Sequence, residues 1–382
     1  MHIDKNHKSK QRLPAIEYIR GISMLGVIGI HVGSQYLMNP SANIHLVAVF
    51  EILTRFAVPI FFFISAFGLF YNLDMSRPFD YKAFMKRRFK TVLIPYLTWS
   101  VIYMLHDEFL YAVHSLNIFY LLRIIFFGLA KYHLYFLVIL IWFYCLMPLW
   151  ISIVRQISKR GLIALLIVQI IFDYFSSYST TLATLTYSLP ETSLLRDFLF
   201  FRLNYLILHY IFIFVLGGYL AVNIDKFFDF MRNNKTKISL SFLISLMAML
   251  THYYLVVFVQ HLPPEAAVNI VHQLSPIGIF YTITASIFFF MLFTFNNFST
   301  NVQSILSILG RHSYFAYLFH PLLIVYLRLI LDKLNLLMTA PNAIIFYILT
   351  VIISLVFAML FRRLGNDKYP LINKLTIGVY PK

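Results

Sequence analysis

The sequence is poor in charged residues and contains one cysteine. Only 12% of its 382 residues are Asp, Glu, Lys or Arg, about half the fraction usual in a soluble domain. The single thiol, Cys145, excludes an intramolecular disulfide and a thiolate metal cluster, and we expect no metal cofactor. What remains is apolar: 60% of the residues are hydrophobic and the mean hydropathy is +0.78.

Apolar runs of about 18 residues or more recur along the chain, which is the length of a helix that crosses a bilayer core. Barrel strands would alternate apolar and polar residues, whereas these runs are apolar on every side. We therefore predict an all-α, polytopic membrane protein whose first helix is retained rather than cleaved as a signal peptide. Ten spans are predicted, at 15–37, 44–72, 91–112, 133–151, 161–178, 204–223, 238–259, 273–295, 311–331 and 343–361.

The positive charge is concentrated in alternate loops. If both termini are cytoplasmic, as ten spans allow, the cytoplasmic segments hold 23 of the 31 lysines and arginines. This is the asymmetry of the positive-inside rule, and it accounts for the net charge of +16 without a nucleic-acid partner. We predict one transmembrane domain over 1–382, with a basic cytoplasmic tail (1–14), a ten-helix bundle (15–361) and a second cytoplasmic tail (362–382). Two outer segments also stand out: 118–130 predicts an interfacial or re-entrant helix, and the loop 177–198 is long enough to cap a pocket.

The first span carries an arginine and a histidine at the ends of the stretch RGISMLGVIGIH. Eleven residues make about three helical turns, so Arg20 and His31 share one helix face about 16 Å apart in height. Ionisable groups at such depth usually face protein or a water-filled cavity. We interpret the face as lining a path with a cationic inner end and a titratable outer end. For each residue alone, lipid-headgroup contact by Arg20 and a hydrogen bond from His31 to a neighbouring helix remain open.

Further candidates lie in the other spans. Glu51 and Arg55 stand four residues apart, where a mutual ion pair is a commoner use than catalysis. Four cations enter the third span, where they signal topology, contact headgroups or seat a polyanionic ligand: Lys86, Arg87, Arg88 and Lys90. Four more polar residues fall in the outer halves of spans or in mid-span, as possible substrate-side groups: His133, Asp173, His209 and His320.

The motifs R-x10-H, VPIFFFISAFGLF, RRFKTVLIPY, YHLYFL, LGGYLA and YFAYLFHPLLI follow one another in this order. The chain thereby resembles, over nearly its whole length, the acyltransferase-3 family of integral membrane acyltransferases. The resemblance implies about ten transmembrane helices and transfer of an acyl group from cytoplasmic acyl-CoA, such as acetyl-CoA or succinyl-CoA, to hydroxyls of cell-surface or exported glycans. The chain looks most similar to polysaccharide O-acetyl- or O-succinyltransferases, including those of biofilm poly-N-acetylglucosamine systems.

The resemblance also implies roles for individual residues. Arg20 and His31 match the family's catalytic arginine and histidine, while Arg87 and Lys90 fall on its R-x-x-R motif. Lysine at position 90 keeps the charge but loses the bidentate fork, and Ala66 stands where the family's FFxxSG element usually has glycine. Many relatives carry an extracytoplasmic hydrolase-like domain, which we do not expect here. The protein therefore either acylates the glycan itself or hands the acyl group to a separate partner, such as polysaccharide synthesis machinery.

These inferences combine into a hypothesis for the reaction. The cytoplasmic cations Arg20, Lys86, Arg87, Arg88 and Lys90 hold the phosphates of acyl-CoA. The pantetheine arm runs up between the helices, and the thioester lies near His31, whose neutral imidazole acts as general base or is transiently acylated. The alternative is a transporter or flippase for a polysaccharide or lipid-linked sugar, since apolar helices with midplane charges suit that function too. In either case we expect a multi-pass protein of a bacterial cytoplasmic membrane.

Overall fold

A computed structural model describes residues 12–37, 44–112 and 117–379. Within these ranges every regular element is helical, which confirms the predicted all-α class. A π-helical turn at Phe89–Leu93 and a 3-10 turn at Ile207–Tyr210 interrupt the α-helices. The α-helices are α1 Pro14–Leu37, α2 Ile44–Thr54, α3 Ala57–Asn72, α4 Tyr81–Arg88, α5 Ile94–Tyr111, α6 Ile118–Phe127, α7 Tyr135–Cys145, α8 Met147–Gln156, α9 Lys159–Tyr178, α10 Thr180–Ser188, α11 Leu194–Phe200, α12 Arg202–Tyr205, α13 Ile211–Val222, α14 Ile224–Asn233, α15 Lys235–Phe258, α16 Pro264–Ile270, α17 Pro276–Phe295, α18 Thr300–Lys333, α19 Ala340–Asp367 and α20 Pro370–Ile377.

Nine of the ten predicted spans coincide with helical segments that are long and apolar enough to cross a bilayer. Seven are single segments, with α2 and α3 counted together. The other two are bent pairs: α7 turns by 68° into α8, and α13 with the preceding 3-10 turn bends by 96° into α14. The chain is therefore a multi-pass membrane protein.

The one remaining predicted span, 91–112, corresponds to α5. This helix has 18 residues but is less apolar than the others. Its last turns carry His106, Asp107 and Glu108, which place polar groups at one end. Arg12 and Arg362, near the two ends of the described chain, line the same cavity. Both ends therefore lie at one end of the bundle, which we call the inner end, and α5 leads away from it.

Proline explains two breaks inside spans. The ring of a proline clashes with the carbonyl group four residues earlier and removes one helical hydrogen bond. Accordingly, α2 ends at Thr54, and α3 begins at Ala57, two residues before Pro59. The chain likewise bends at Leu146, two residues before Pro148. The span predicted as one helix over 44–72 is thus two helices with a turn at 55–56.

Glycines allow the central helices to approach closely. A Cβ atom on Gly310 of α18 would lie 2.1 Å from the Glu17 carbonyl oxygen of α1. A Cβ atom on Gly217 of α13 would lie 2.4 Å from the Phe63 carbonyl oxygen of α3. Small residues serve this purpose in membrane helix packing. The α1–α18 and α3–α13 pairs thereby form the centre of the bundle.

The segment 362–382 was predicted as a tail, and its described part, 362–379, is largely helical. The last span continues as α19 to Asp367, and α20 follows after a short turn. The indole Nε1 of Trp99 in α5 donates a hydrogen bond of 3.0 Å to the Thr376 carbonyl oxygen, which fastens α20 to the bundle. The ninth span is also longer than predicted, because α18 begins at Thr300 rather than near 311.

Replacement of Gly310 by alanine tests the α1–α18 contact. The added methyl group meets backbone atoms that cannot rotate away, so we expect a loss of about 1–3 kcal/mol in stability. Thermal melting of the detergent-solubilised protein measures it. Gly33→Ala in α1 is the control, because its Cβ would meet no atom closer than 3.5 Å. Equal melting temperatures for the two variants would contradict the packing.

Candidate functional site

A cavity of about 580 Å³ opens at the inner end of the bundle. Five arginines line this arginine cavity: Arg12, Arg20, Arg88, Arg311 and Arg362. Among the described lining residues, Glu17 is the one carboxylate, and it pairs with Arg12. The cavity therefore carries a large excess of positive charge, which suits a polyanionic ligand.

Two of the predicted cations, Arg20 and Arg88, line the arginine cavity. Arg20 is exposed to the cavity although it lies in the second turn of α1, inside a membrane span. The guanidinium group of Arg88 stacks over the rings of Phe84 and Tyr144, with its central carbon 5.1 and 4.9 Å from their centroids. Such cation–π contacts hold the charge in place without neutralising it.

The remaining predicted cations lie elsewhere. Lys86, Arg87 and Lys90 are exposed and do not line the arginine cavity. Successive helical residues point about 100° apart, so Arg87 and Arg88 cannot share one direction. Arg311 and Arg362 were not predicted as site residues, although each lies at the inner boundary of a predicted span. In the structure they contact each other, as Arg362 Nη1 donates to the Arg311 carbonyl oxygen at 3.4 Å.

A second cavity, of about 150 Å³, lies closer to the other end of the bundle, which we call the outer end. His31, His133, Arg55, Gln273 and Tyr317 are among the residues that line this histidine cavity. The structure thus brings together residues from five separate segments of the chain, of which the sequence analysis singled out His31, Arg55 and His133.

Three histidine rings cluster at the histidine cavity. The His31 ring stacks on His320, with centroids 5.4 Å apart and planes 22° apart. The His133 ring lies 5.3 Å from His320 and is nearly perpendicular to it, at 70°. Tyr132 covers the other side of His31, with ring centroids 4.5 Å apart. The imidazoles are thus close enough to influence one another's protonation.

The proline beside His320 fixes the tautomer of that histidine. Pro321 has no N–H group, so the Tyr317 carbonyl oxygen four residues earlier lacks its helical partner. His320 Nδ1 donates a hydrogen bond of 2.7 Å to this oxygen. The proton therefore resides on Nδ1, and Nε2 is a buried acceptor with no hydrogen-bond partner.

The ring of His133 is held in place by its surroundings rather than by hydrogen bonds. The Tyr317 hydroxyl donates to the His133 carbonyl oxygen, and the rings of Tyr103 and Tyr317 pack against the imidazole at 5.4 and 5.1 Å. Both ring nitrogens of His133 are buried and have no hydrogen-bond partner. Buried polar atoms are usually satisfied, so these two nitrogens are candidate contacts for a polar ligand group.

Arg20 and His31 line separate cavities, and no described residue lines both. The continuous path predicted from their shared helix face is therefore not open in this structure. By helical spacing, Met24 lies between the two residues on α1, and it is fully buried. Tyr314 occupies the corresponding position on α18, between Gly310 and Tyr317. We call these two side chains, which by helical spacing stand between the two cavities, the Met24–Tyr314 layer.

Asp173 and His209 form a separate buried network. His209 Nδ1 lies 2.6 Å from Asp173 Oδ1, and Gln169 Nε2 donates to Asp173 Oδ2 at 2.9 Å. Gln169 Nε2 also reaches the Leu208 carbonyl oxygen at 2.7 Å, and the Ser176 hydroxyl lies 3.3 Å from His209 Nε2. None of these residues lines the arginine cavity or the histidine cavity. The network joins α9 to the broken segment before α13.

The helical membrane fold, the arginine cavity and the histidine cluster together define a membrane protein with the features of a group-transfer enzyme. The chain belongs to the acyltransferase-3 family, because the family profile, described as an acyltransferase domain, matches residues 13–360 of 382. The protein is accordingly a membrane acyltransferase. No curated protein and no solved structure matches the chain at a significant level.

Replacement of Asp173 by asparagine separates a structural role from a catalytic one. The amide NH₂ would face either His209 or the Gln169 NH₂ group, and we expect a loss of about 1–3 kcal/mol in stability. The melting temperature should fall, while transfer per folded molecule stays close to wild type. Asp229→Asn, at an exposed residue of α14, is the control. A hundredfold loss of transfer at an unchanged melting temperature would instead place Asp173 in the reaction.

Proposed function

We propose that this membrane acyltransferase moves a short acyl group from acyl-CoA to a hydroxyl of a cell-surface or exported glycan. One observation carries the proposal: α1 and α18 each supply an arginine to the arginine cavity and a histidine to the cluster above it. Arg20 and His31 stand on α1, and Arg311 and His320 stand on α18. The same two helices would thus bind the polyanionic carrier through their arginines and contact its reacting group through their histidines.

Coenzyme A fits the arginine cavity by charge and by size. Its phosphates carry several negative charges, and guanidinium groups bind phosphate oxygens in bidentate pairs. The volume of about 580 Å³ lies within the range of small-molecule sites, about 300–1,000 Å³. Because acyl-CoA is made in the cytoplasm, the inner end would face that side, in agreement with the distribution of lysine and arginine.

The acyl group has to travel from the arginine cavity to the histidine cluster. Arg20 and His31 are about 16 Å apart along α1, and the pantetheine arm is long and thin. Donor binding would displace the Met24–Tyr314 layer, whose two side chains turn about single bonds without moving the helices.

At the histidine cavity, His31 would act as general base on the acceptor. A buried imidazole without a carboxylate partner is neutral and can accept the proton of a sugar hydroxyl. His320 lies against His31 with a free Nε2 acceptor, so it can share that proton. The glycan acceptor is proposed from the family resemblance; it would enter from the outer end, past His133 and Tyr132.

The direct test uses purified protein in nanodiscs with radiolabelled acetyl-CoA or succinyl-CoA and a glycan acceptor. Wild-type protein should label the glycan, and His31→Gln should lower kcat by about 10²–10⁴-fold with little change in the KM for acyl-CoA. His45→Gln, at a histidine that bonds Tyr253 away from both cavities, is the control. A wild-type protein that moves glycan across the membrane without labelling it would support a transporter instead.

Neighbouring arginines provide matched tests of the donor site. Arg88→Gln and Arg362→Gln should each raise the KM for acyl-CoA about 10–100-fold, because a charge-assisted hydrogen bond contributes about 1.5–3 kcal/mol. Arg87→Gln and Arg363→Gln change adjacent residues that lie outside the arginine cavity, and they should leave KM nearly unchanged. A larger effect at Arg87 than at Arg88 would contradict the assignment.

A further inference from the structure

The second span is interrupted beside the histidine cavity. The first-turn amides of α3, which begins at Ala57, have no acceptor within their own helix. Pro59 contributes no N–H group, so the available donors belong to Ala57 and Val58. Val58 lines the histidine cavity together with His31. Broken membrane helices of this kind bind negatively charged groups in other proteins.

Arg55 lies in the turn that interrupts the span, and it also lines the histidine cavity. Its side chain is only 11% exposed and forms an ion pair of 2.8 Å with Glu51. Its Nη2 also donates to the Val268 carbonyl oxygen at 2.9 Å. Both contacts are made by the same nitrogen, Nη2, whereas Nε is buried and has no hydrogen-bond partner. One donor of this guanidinium group is therefore available for a ligand.

A second, independent observation points to a polar ligand in the same cavity. His133, which is 1% exposed and lies in the cavity wall, has two buried ring nitrogens without partners. Unsatisfied buried donors and acceptors cost free energy. They are retained where a bound group completes them, so a ligand with both a donor and an acceptor fits this cavity. A hydroxyl that attacks a carbonyl group provides both.

We propose that Arg55, assisted by the first amides of α3, binds the carbonyl oxygen of the acyl group and stabilises its negative charge during transfer. The inference rests on the proposed function. The acceptor oxygen adds to the thioester carbon, the C=O electron pair moves to the carbonyl oxygen, and His31 takes the hydroxyl proton. The C=O bond then re-forms, the C–S bond breaks, and the proton passes from His31 to the thiolate of coenzyme A. Nothing is oxidised or reduced.

Glu51 is a positioning residue in this scheme. It holds Arg55 through one carboxylate oxygen, and it balances the arginine charge while the cavity contains a neutral thioester. Charge appears only when the oxyanion forms, so Arg55 binds the transition state more tightly than the substrate. An interaction of this kind raises kcat and leaves KM almost unchanged.

The test compares Arg55→Gln, Arg55→Lys and Arg328→Gln in the labelled acyl-CoA assay. Arg328 forms an equivalent i,i+4 pair with Asp332 near the outer end of α18, away from both cavities, and provides the matched control. We expect Arg55→Gln to lower kcat about 10²–10³-fold and Arg55→Lys to recover part of the loss. Affinity for a non-reactive thioether analogue of acyl-CoA should stay within a few-fold of wild type in all three variants.

The outcomes separate this inference from the proposed function. A wild-type protein without acyl transfer would reject the proposed function itself. Active wild-type protein with an equally active Arg55→Gln variant would reject only the role of Arg55. If Arg55→Gln fails to fold, the double variant Glu51→Gln/Arg55→Gln removes the buried charge imbalance. Transfer at the wild-type rate by the folded double variant would likewise overturn the inference, whereas a lowered kcat with normal analogue binding would support it.

Discussion

The close contact between α1 and α18 is the constraint on which the rest of the site depends. It requires a glycine at position 310, because the Glu17 backbone occupies the space of a side chain. Two stripes of polar residues meet along this contact, one from each helix, with arginines at the inner end and histidines further out. Charged groups are costly in a bilayer unless they face a cavity or a partner. The contact supplies both, since the two helices form walls of the arginine cavity and stack His31 on His320.

Much of the fold could be predicted, because a bilayer imposes length and apolarity on every crossing. The predicted helical class, nine of the ten spans and the membership of α1 in the site all rest on such regularities. The break at 55–56 was less visible, since Pro59 signals a distortion without locating it. The direction in which each cationic side chain points could not be predicted from the sequence either. Arg88 lines the arginine cavity and Arg87 does not, because successive residues of a helix point about 100° apart. The assembly of His31, His133 and His320 depends on the packing of three distant segments, which no spacing within one helix reveals.

The arginine cavity and the histidine cavity are separate, and this separation determines how an acyl group could reach the histidines. A passage open from end to end would leak ions and expose a thioester to water. By helical spacing, the Met24–Tyr314 layer stands between the arginines and the histidines, and only a small cavity adjoins the imidazoles. The geometry therefore favours entry of the acyl group as part of a larger molecule that opens the layer as it binds. The family assignment agrees with this arrangement, because acyl transfer requires a bound donor, a base and a shielded reacting carbonyl group.

The measurement that tests the central claim most directly is a structure of the wild-type protein with a non-reactive thioether analogue of acetyl-CoA. The account predicts phosphates at the arginines of the inner end, a pantetheine arm that displaces Tyr314 and Met24, and a sulfur atom beside His31 and Arg55. An analogue bound wholly within the arginine cavity, with the layer still closed and the histidine cavity empty, would contradict it.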